Sequence, residues 1–265
     1  MPGICIDIRD KHGVPGRPYI IDGGGATVDG GGERIPMLIQ GCSHFVLRNW
    51  NLCNSPGNVL WLRGNQEFAV EEVCAWNAAA VDENSFHPIA IHTSQFGVVR
   101  DCGAWGTGRK AISAATNGDD LLWHRVYASY DDPTGGAHPR MAWTIAYNNF
   151  RNTLSDCIAA CTQLPPDDPR WFYGCFSVDR IDPNDGTEPP ADTILHRCLA
   201  MSPHSVEAFR RNTVKGVTFE NCLDATYEGN VEQDYLAGLI ASWRASPILD
   251  RLPVDVIAQM EGLKT

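Results

Sequence analysis

The sequence predicts an all-β solenoid, in which short strands stack coil upon coil, closed by a short helical segment. Three observations carry this. First, one pattern is written four times between Met37 and Asp132: Leu38 to Asn49, Leu62 to Glu72, Ile91 to Asp101, and Ala115 to Arg125. Each has a few alternating apolar residues, a small polar turn, and a second apolar run ending in a polar pair. A third apolar piece follows: Trp50 to Cys53, Val73 to Trp76, Cys102 to Trp105, and Val126 to Ser129. Second, Arg48, Glu71, Arg100, His124, Ser155, His196 and Glu220 occupy one equivalent position, at intervals of 23, 29, 24, 31, 41 and 24 residues. A coil of about 23 residues lies in the range of repeat architectures, and one coil cannot bury its inner face alone. Third, the period changes after residue 230, where Tyr235, Leu236, Leu239, Ile240 and Trp243 recur at helical spacing.

In chain order, residues 1–18 open with the alternation Ile4-Cys5-Ile6-Asp7-Ile8 and then turn residues Gly13, Pro15 and Gly16. The segment is compatible with the tail of an earlier coil of a longer protein. The glycine clusters at 23–25 and 30–32 fit neither Gly-x-Gly-x-x-Gly nor a Walker A loop, and they read as tight turns between short strands. The repeat spacing gives about eight coils over 1–230. Extra residues fall after the third strand of three coils, at 77–88, 131–140 and 162–171, so these loops should leave one side of the solenoid, where a binding face often lies. A further insertion at 179–192 is rich in Asp, Asn and Gly. It lacks the twelve-residue calcium loop ending in Glu, so calcium has no motif behind it. The last region, 231–265, reads as an amphipathic helix ended by Pro247 and a second short helix over Asp250 to Met260. Its expected place is over the open end of the solenoid, as a cap.

The stretch Tyr19 to Gly32 and the strand-ending elements Arg100-Asp101-Cys102, Ser155-Asp156-Cys157 and Glu220-Asn221-Cys222 resemble the coils of pectin-lyase-like right-handed parallel β-helices. The resemblance spans roughly residues 18–228 and implies that fold. It also implies polysaccharide as partner and an extracellular setting. The superfamily includes lyases, hydrolases, epimerases, phage spikes and non-catalytic shafts, so the fold alone does not choose.

The net charge of −11, from 21 basic and 32 acidic residues, argues against nucleic-acid or anionic-membrane binding. No run of about 18 apolar residues spans a membrane, and the first residues lack the basic and apolar regions of a secretory signal. Of ten cysteines, Cys102, Cys157, Cys198 and Cys222 share one coil position and read as small buried hydrophobes. Cys161 and Cys175 are candidates for a disulfide in an oxidising compartment. No metal-ligand spacing stands out. His87 and His92 lie five apart, and an odd spacing on an extended chain places them on opposite faces.

Two constellations carry candidate chemistry. Arg109 and Lys110 sit one coil before Asp131, Asp132, His138 and Arg140. Stacked coils bring equivalent positions about 4.8 Å apart. Two carboxylates suit glycoside hydrolysis; a base and a cation suit β-elimination from a uronate. An ion-paired surface turn accounts for the same residues. The second is the outward column Glu71, Arg100 and His124, parallel to Gln40, Arg63 and His92 on the preceding strand. Alternating charge also simply solvates a sheet. Trp76 and Trp105, with Tyr130 near that column, offer a stacking platform for sugar rings if exposed and core if buried. The expected function is polysaccharide binding with cleavage, by a uronate lyase or a glycoside hydrolase, needing no cofactor. The rival is a structural or adhesive module without an active site, for which an oligomer is compatible with the repeat.

Overall fold

The computed structural model describes residues 2–80, 85–130, 140–161, 173–179, 188, 190–201, 207–212, 216–225 and 232–263. Its strands fall into eight coils. The first holds β1 (Gly3–Arg9), β2 (Tyr19–Asp22) and β3 (Thr27–Asp29). Four coils follow with two strands each: β4 (Arg34–Gln40) and β5 (Ser43–Cys53), β6 (Leu60–Arg63) and β7 (Gln66–Trp76), β8 (Ile89–His92) and β9 (Gln95–Trp105), β10 (Lys110–Ala115) and β11 (Leu122–Tyr130). Three coils again have three strands: β12 (Arg140–Ala146), β13 (Thr153–Ser155) and β14 (Ile158–Cys161); β15 (Tyr173–Asp179), β16 (Ile194–His196) and β17 (Leu199–Met201); β18 (Glu207–Asn212), β19 (Thr218–Glu220) and β20 (Leu223–Asp224). Helices α1 (Gln233–Arg244) and α2 (Val256–Gly262) end the chain.

Every strand pairs in parallel with its equivalents one coil before and after, giving one sheet from β1 to β18 and a second, bent sheet from β2 to β19. The register runs through Arg48, Glu71, Arg100, His124, Ser155, His196 and Glu220, all seven equivalents read from the repeat. The residue after each bends the second sheet. Asn49, Glu72, Asp101, Arg125, Asp156, Arg197 and Asn221 all have φ between 49° and 59°. One left-handed residue per coil is a sharp corner, and only short polar side chains visit it readily. Arg125 and Arg197 hold it instead through bidentate pairing with Asp101 and Asp156 of the preceding coil. The glycine clusters are the expected turns: Asp22 and Asp29 accept from the backbone of Gly24 (2.9 Å) and Gly31 (2.8 Å).

Alternation fills the interior. Leu60, Ile89, Ile112, Trp143 and Phe176 stack as one inward row, and Cys102, Cys157 and Cys198 are buried in another, as the cysteine spacing predicts, whereas Cys222 in the last coil is only partly buried. Asn65 shows how a buried polar side chain is satisfied from within. Asn65 is fully buried, accepts from Cys42 N and donates to Ile39 O, both at 2.9 Å. Cys161 and Cys175 are thiols rather than a disulfide, donating to Gly174 O (3.2 Å) and Met201 O (3.5 Å).

The helical segment forms, but it lies along the side of the solenoid and not over its end. Leu236, Leu239, Ile240 and Trp243 of α1 pack on the outward residues Tyr127, Ile158, Leu199 and Leu223 of four successive coils. Ser242 Oγ donates to Asp156 Oδ2 (2.7 Å), Trp243 Nε1 to Asp156 O (2.7 Å) and Ser246 Oγ to Asp101 Oδ1 (2.8 Å). Arg251 reaches Trp50 O (2.6 Å) and Glu72 O (2.9 Å), near the other end. The C-terminal segment is thus a strap that grips the left-handed corner of coil after coil. The outward apolar row under it, including Tyr127 and Leu199, is what draws it there.

Candidate functional site

The two predicted constellations occupy different faces. On the second sheet, before its corner, Glu71, Arg100 and His124 stand in register and point outward. Arg48 pairs with Asp22 and Arg100 with Glu71, each at 2.8 Å, while His124 Nδ1 lies 3.0 Å from Ser155 Oγ and 3.8 Å from Asp156 Oδ2. The side chains of Arg100 and His124 are 53% and 38% exposed. Burial pushes the His124 imidazole down, and neighbouring Arg125 adds to this against the pull of Asp156. Beside this ladder runs a second outward row, Ile20, Val46, Ala69, Val98, Leu122, Thr153, Ile194 and Thr218, in which Ile20, Leu122 and Ile194 are exposed. Among the described residues this flank is part apolar and part ionic.

Trp76 and Trp105 are paired residues and stack with ring centroids 5.1 Å apart at 4°. Both are half-buried. They sit beyond the corner, so the strap lies between them and the ladder: Leu252 packs where a side chain on Gly103 would go. Tyr130 does not extend this platform. Its side chain is 1% exposed and belongs to the core, because it follows Ser129, the residue level with Trp105, and the next residue of a strand faces the other way.

The Arg109–Lys110 constellation lies at the start of the first sheet. Arg109 N donates to Phe86 O (2.9 Å), which fixes the loop before β10. Lys110 is only 4% exposed, whereas a loop between coils was expected to leave it in solvent. Ala111 and Ile112 are both in the core, so the strand bends there and leaves Lys110 buried outside the apolar cluster. Arg140 starts β12 one residue ahead of Met141, the partner of Lys110, and its side chain lies outside the described residues. So do Asp131, Asp132 and His138.

Around Lys110 the structure gathers residues that the spacing argument set apart. His87 and His92 meet edge to face with centroids 6.2 Å apart. Pro88 turns the chain between them, so the odd spacing no longer implies opposite faces. His87 is 1% exposed; its Nε2 lies 3.0 Å from Ser85 Oγ, and its backbone N donates to Asn58 Oδ1 (2.8 Å). Among the described residues, His92 Nε2 and Trp61 Nε1 are buried with no hydrogen-bond partner, and the His87 imidazole is held against the backbone of Lys110. Arg63 stacks over Trp61 at 5.7 Å and is level with His92. Burial pushes the Lys110 ammonium down to about 7, with Arg109 adding to it. Burial and the charge of Lys110 hold His92 at about 4 and His87 well below its usual range, so both imidazoles are neutral at neutral pH. No carboxylate among the described residues pairs with Lys110.

No family model and no curated protein matches the chain. Solved structures do. A surface adhesin of Streptococcus pneumoniae, PfbA, superposes with a TM-score of 0.59 over 88% of this chain, at 9% identity. The fold it shares with this chain is the right-handed parallel β-helix. The match spans 60% of the adhesin's own length. The endo-xylogalacturonan hydrolase from Aspergillus tubingensis gives a TM-score of 0.39 at 9% identity, over 86% of this chain and 77% of the enzyme.

Proposed function

We propose that this chain is a polysaccharide-binding β-helix that holds a linear glycan along the outward flank of its second sheet. The observation behind the reading is the flank itself. A polar ladder, largely ionic, and a mostly apolar row that is exposed at Ile20, Leu122 and Ile194 run side by side in register along the second sheet, and among the described residues no helix lies over them. A regular polymer meets the same kinds of group at each step along such a face. Each contact is weak because the ion pairs are exposed, and the sum over several coils supplies the affinity. The fold likeness to a surface adhesin supports a binding role.

Cleavage is the second reading, and one residue favours it. An amine held near 7 is partly neutral at working pH, which suits a general base for β-elimination from a uronate. The flank reading is tested by affinity electrophoresis in polysaccharide gels with Leu122→Glu and Arg100→Glu. Retardation of the native chain should be lost in the double variant while its melting temperature stays within about 2 °C. Unchanged retardation by the double variant contradicts the flank assignment.

A further inference from the structure

We infer that the cleft where residues 13–18 meet the start of the flank is a subsite for a single sugar ring, with Phe96 as the aromatic face on which the ring stacks. The inference deepens the polysaccharide reading above and rests on it. An insertion makes the cleft. His12 bridges to Ser43 and Tyr19 pairs with Phe45, so residues 13–18 stand where the second coil has only His44. The extra chain is pinned in place. Gly13 N donates to Ser43 O (3.0 Å) and Arg17 N to Val14 O (2.9 Å), and a side chain on Gly13 would strike His44 O. Val14, Pro15 and Pro18 of this loop, Val46 and Ala69 of the outward row, and Phe96 line a cleft of about 230 Å³. That is smaller than the roughly 300–1,000 Å³ of pockets that enclose drug-sized molecules, and it suits one ring.

Phe96 singles this place out. Its equivalents at the corner before the second sheet are His44, Glu67, Asp120 and Arg151, and all five have φ between 49° and 56°. His44 Nδ1 lies 2.5 Å from Glu67 Oε2, and Arg151 pairs with Asp120 at 2.8 Å. Phe96 stands between these two pairs, left-handed at φ 55° and 54% exposed. That backbone disfavours a bulky aromatic and exposure leaves its ring unburied, so the contact that offsets both lies outside the chain. A sugar ring has the matching surfaces. Its C–H face covers apolar and aromatic groups, while its hydroxyl edge needs donors and acceptors. His44 and Glu67 line the same cleft. With the Nδ1 proton of His44 turned to Glu67, His44 Nε2 and the second Glu67 oxygen serve that edge. A carboxylate or sulfate there would be repelled by Glu67. The ring therefore enters by an uncharged edge, and charged substituents of the glycan lie toward Arg48 and Arg100 of the ladder.

The test is affinity electrophoresis of the native chain, Phe96→Asn and Phe96→Tyr in gels of a neutral glucan, a mannan, a polygalacturonate and a sulfated galactan. Asparagine visits the left-handed region readily, so Phe96→Asn should melt no lower than the native chain. Its dissociation constant should rise about tenfold in the gel that retards the native chain, the loss of one aromatic contact, and Phe96→Tyr should restore binding. Native-like retardation of Phe96→Asn overturns the subsite; if Leu122→Glu with Arg100→Glu still abolishes retardation, the flank reading stands without it. Loss in Phe96→Asn with none in that double variant keeps the subsite and removes the flank reading. No retardation of the native chain in any gel overturns both. A Phe96→Asn chain that melts several degrees lower makes Phe96 a structural residue and overturns the assignment. Self-association in sedimentation velocity that Phe96→Asn abolishes places a second copy in the cleft and overturns the sugar.

Discussion

Replacing Lys110 by Met should stabilise the protein, which is unusual for a residue proposed to function. The lysine is 4% exposed, and its ammonium is moved from 10.5 to about 7. At about 1.4 kcal/mol per pH unit this corresponds to a ceiling near 5 kcal/mol of disfavoured charge. Apolar replacement of buried charged groups returns about 1–4 kcal/mol, because methionine keeps the volume and removes the desolvation. We expect about 2–3 kcal/mol at pH 7, or about 4–12 °C in melting temperature. The sign with pH follows from the lowered value. Between about 7 and 10.5 the unfolded chain holds a proton that the folded chain lacks. Stability of the native protein therefore rises with pH across that window. Lys110→Met lacks this gain, so its advantage should fall towards zero near pH 10.5 and be greatest below pH 7. Urea denaturation of both proteins at pH 6, 8 and 10 measures it. A Lys110→Met advantage that does not vary with pH, or a variant less stable at every pH, refutes the account of Lys110 as a buried ammonium disfavoured by desolvation.

Other substitutions follow from the packing. Trp243→Ala removes a fully buried side chain and its bond to Asp156 O, and should cost about 3–5 kcal/mol by thermal unfolding, while Arg244→Ala in the exposed pair with Glu261 should cost under about 1 kcal/mol. Asn65→Ala leaves Cys42 N and Ile39 O without their bonds and should cost about 2 kcal/mol in urea. At Asp156, burial raises the carboxyl, but hydrogen bonds from Arg197 and Ser242 outweigh it and hold it below its usual range. Its contribution is present above about pH 4 and lost as the pH falls further, so melting temperature should drop more steeply in acid for the native chain than for Asp156→Asn. Arg100→Ala should change stability by under about 1 kcal/mol yet weaken retention in polysaccharide gels.

The coil period was legible because it is a property of neighbouring residues. The polar pair that ends each strand, such as Arg48-Asn49 or Arg100-Asp101, marks both the register and the left-handed corner, and seven of them align without reference to space. What the period does not encode is a break in alternation. Two consecutive core residues, Ala111 and Ile112, turn Lys110 out of the core, and Pro88 brings His87 round to His92. The proline was the signal available for the second. Tyr130 failed by a single residue, since one step along a strand exchanges the two faces. The strap was legible as a helix from Leu236, Leu239, Ile240 and Trp243, but its place was not. An apolar stripe states that it will be covered, and only the outward row at Tyr127, Ile158, Leu199 and Leu223 states by what.

Polysaccharide binding is tested most directly by passing the purified chain through a broad panel of neutral, uronic and sulfated glycans. Retention is read beside new reducing ends and the ultraviolet absorbance of unsaturated uronate. The account predicts retention on anionic glycans, lost with Leu122→Glu and Arg100→Glu together. Absorbance growth that disappears in Lys110→Met would add elimination chemistry to the binding role. Silence in all three readings across the panel would contradict the polysaccharide role and leave a structural module on the same β-helix.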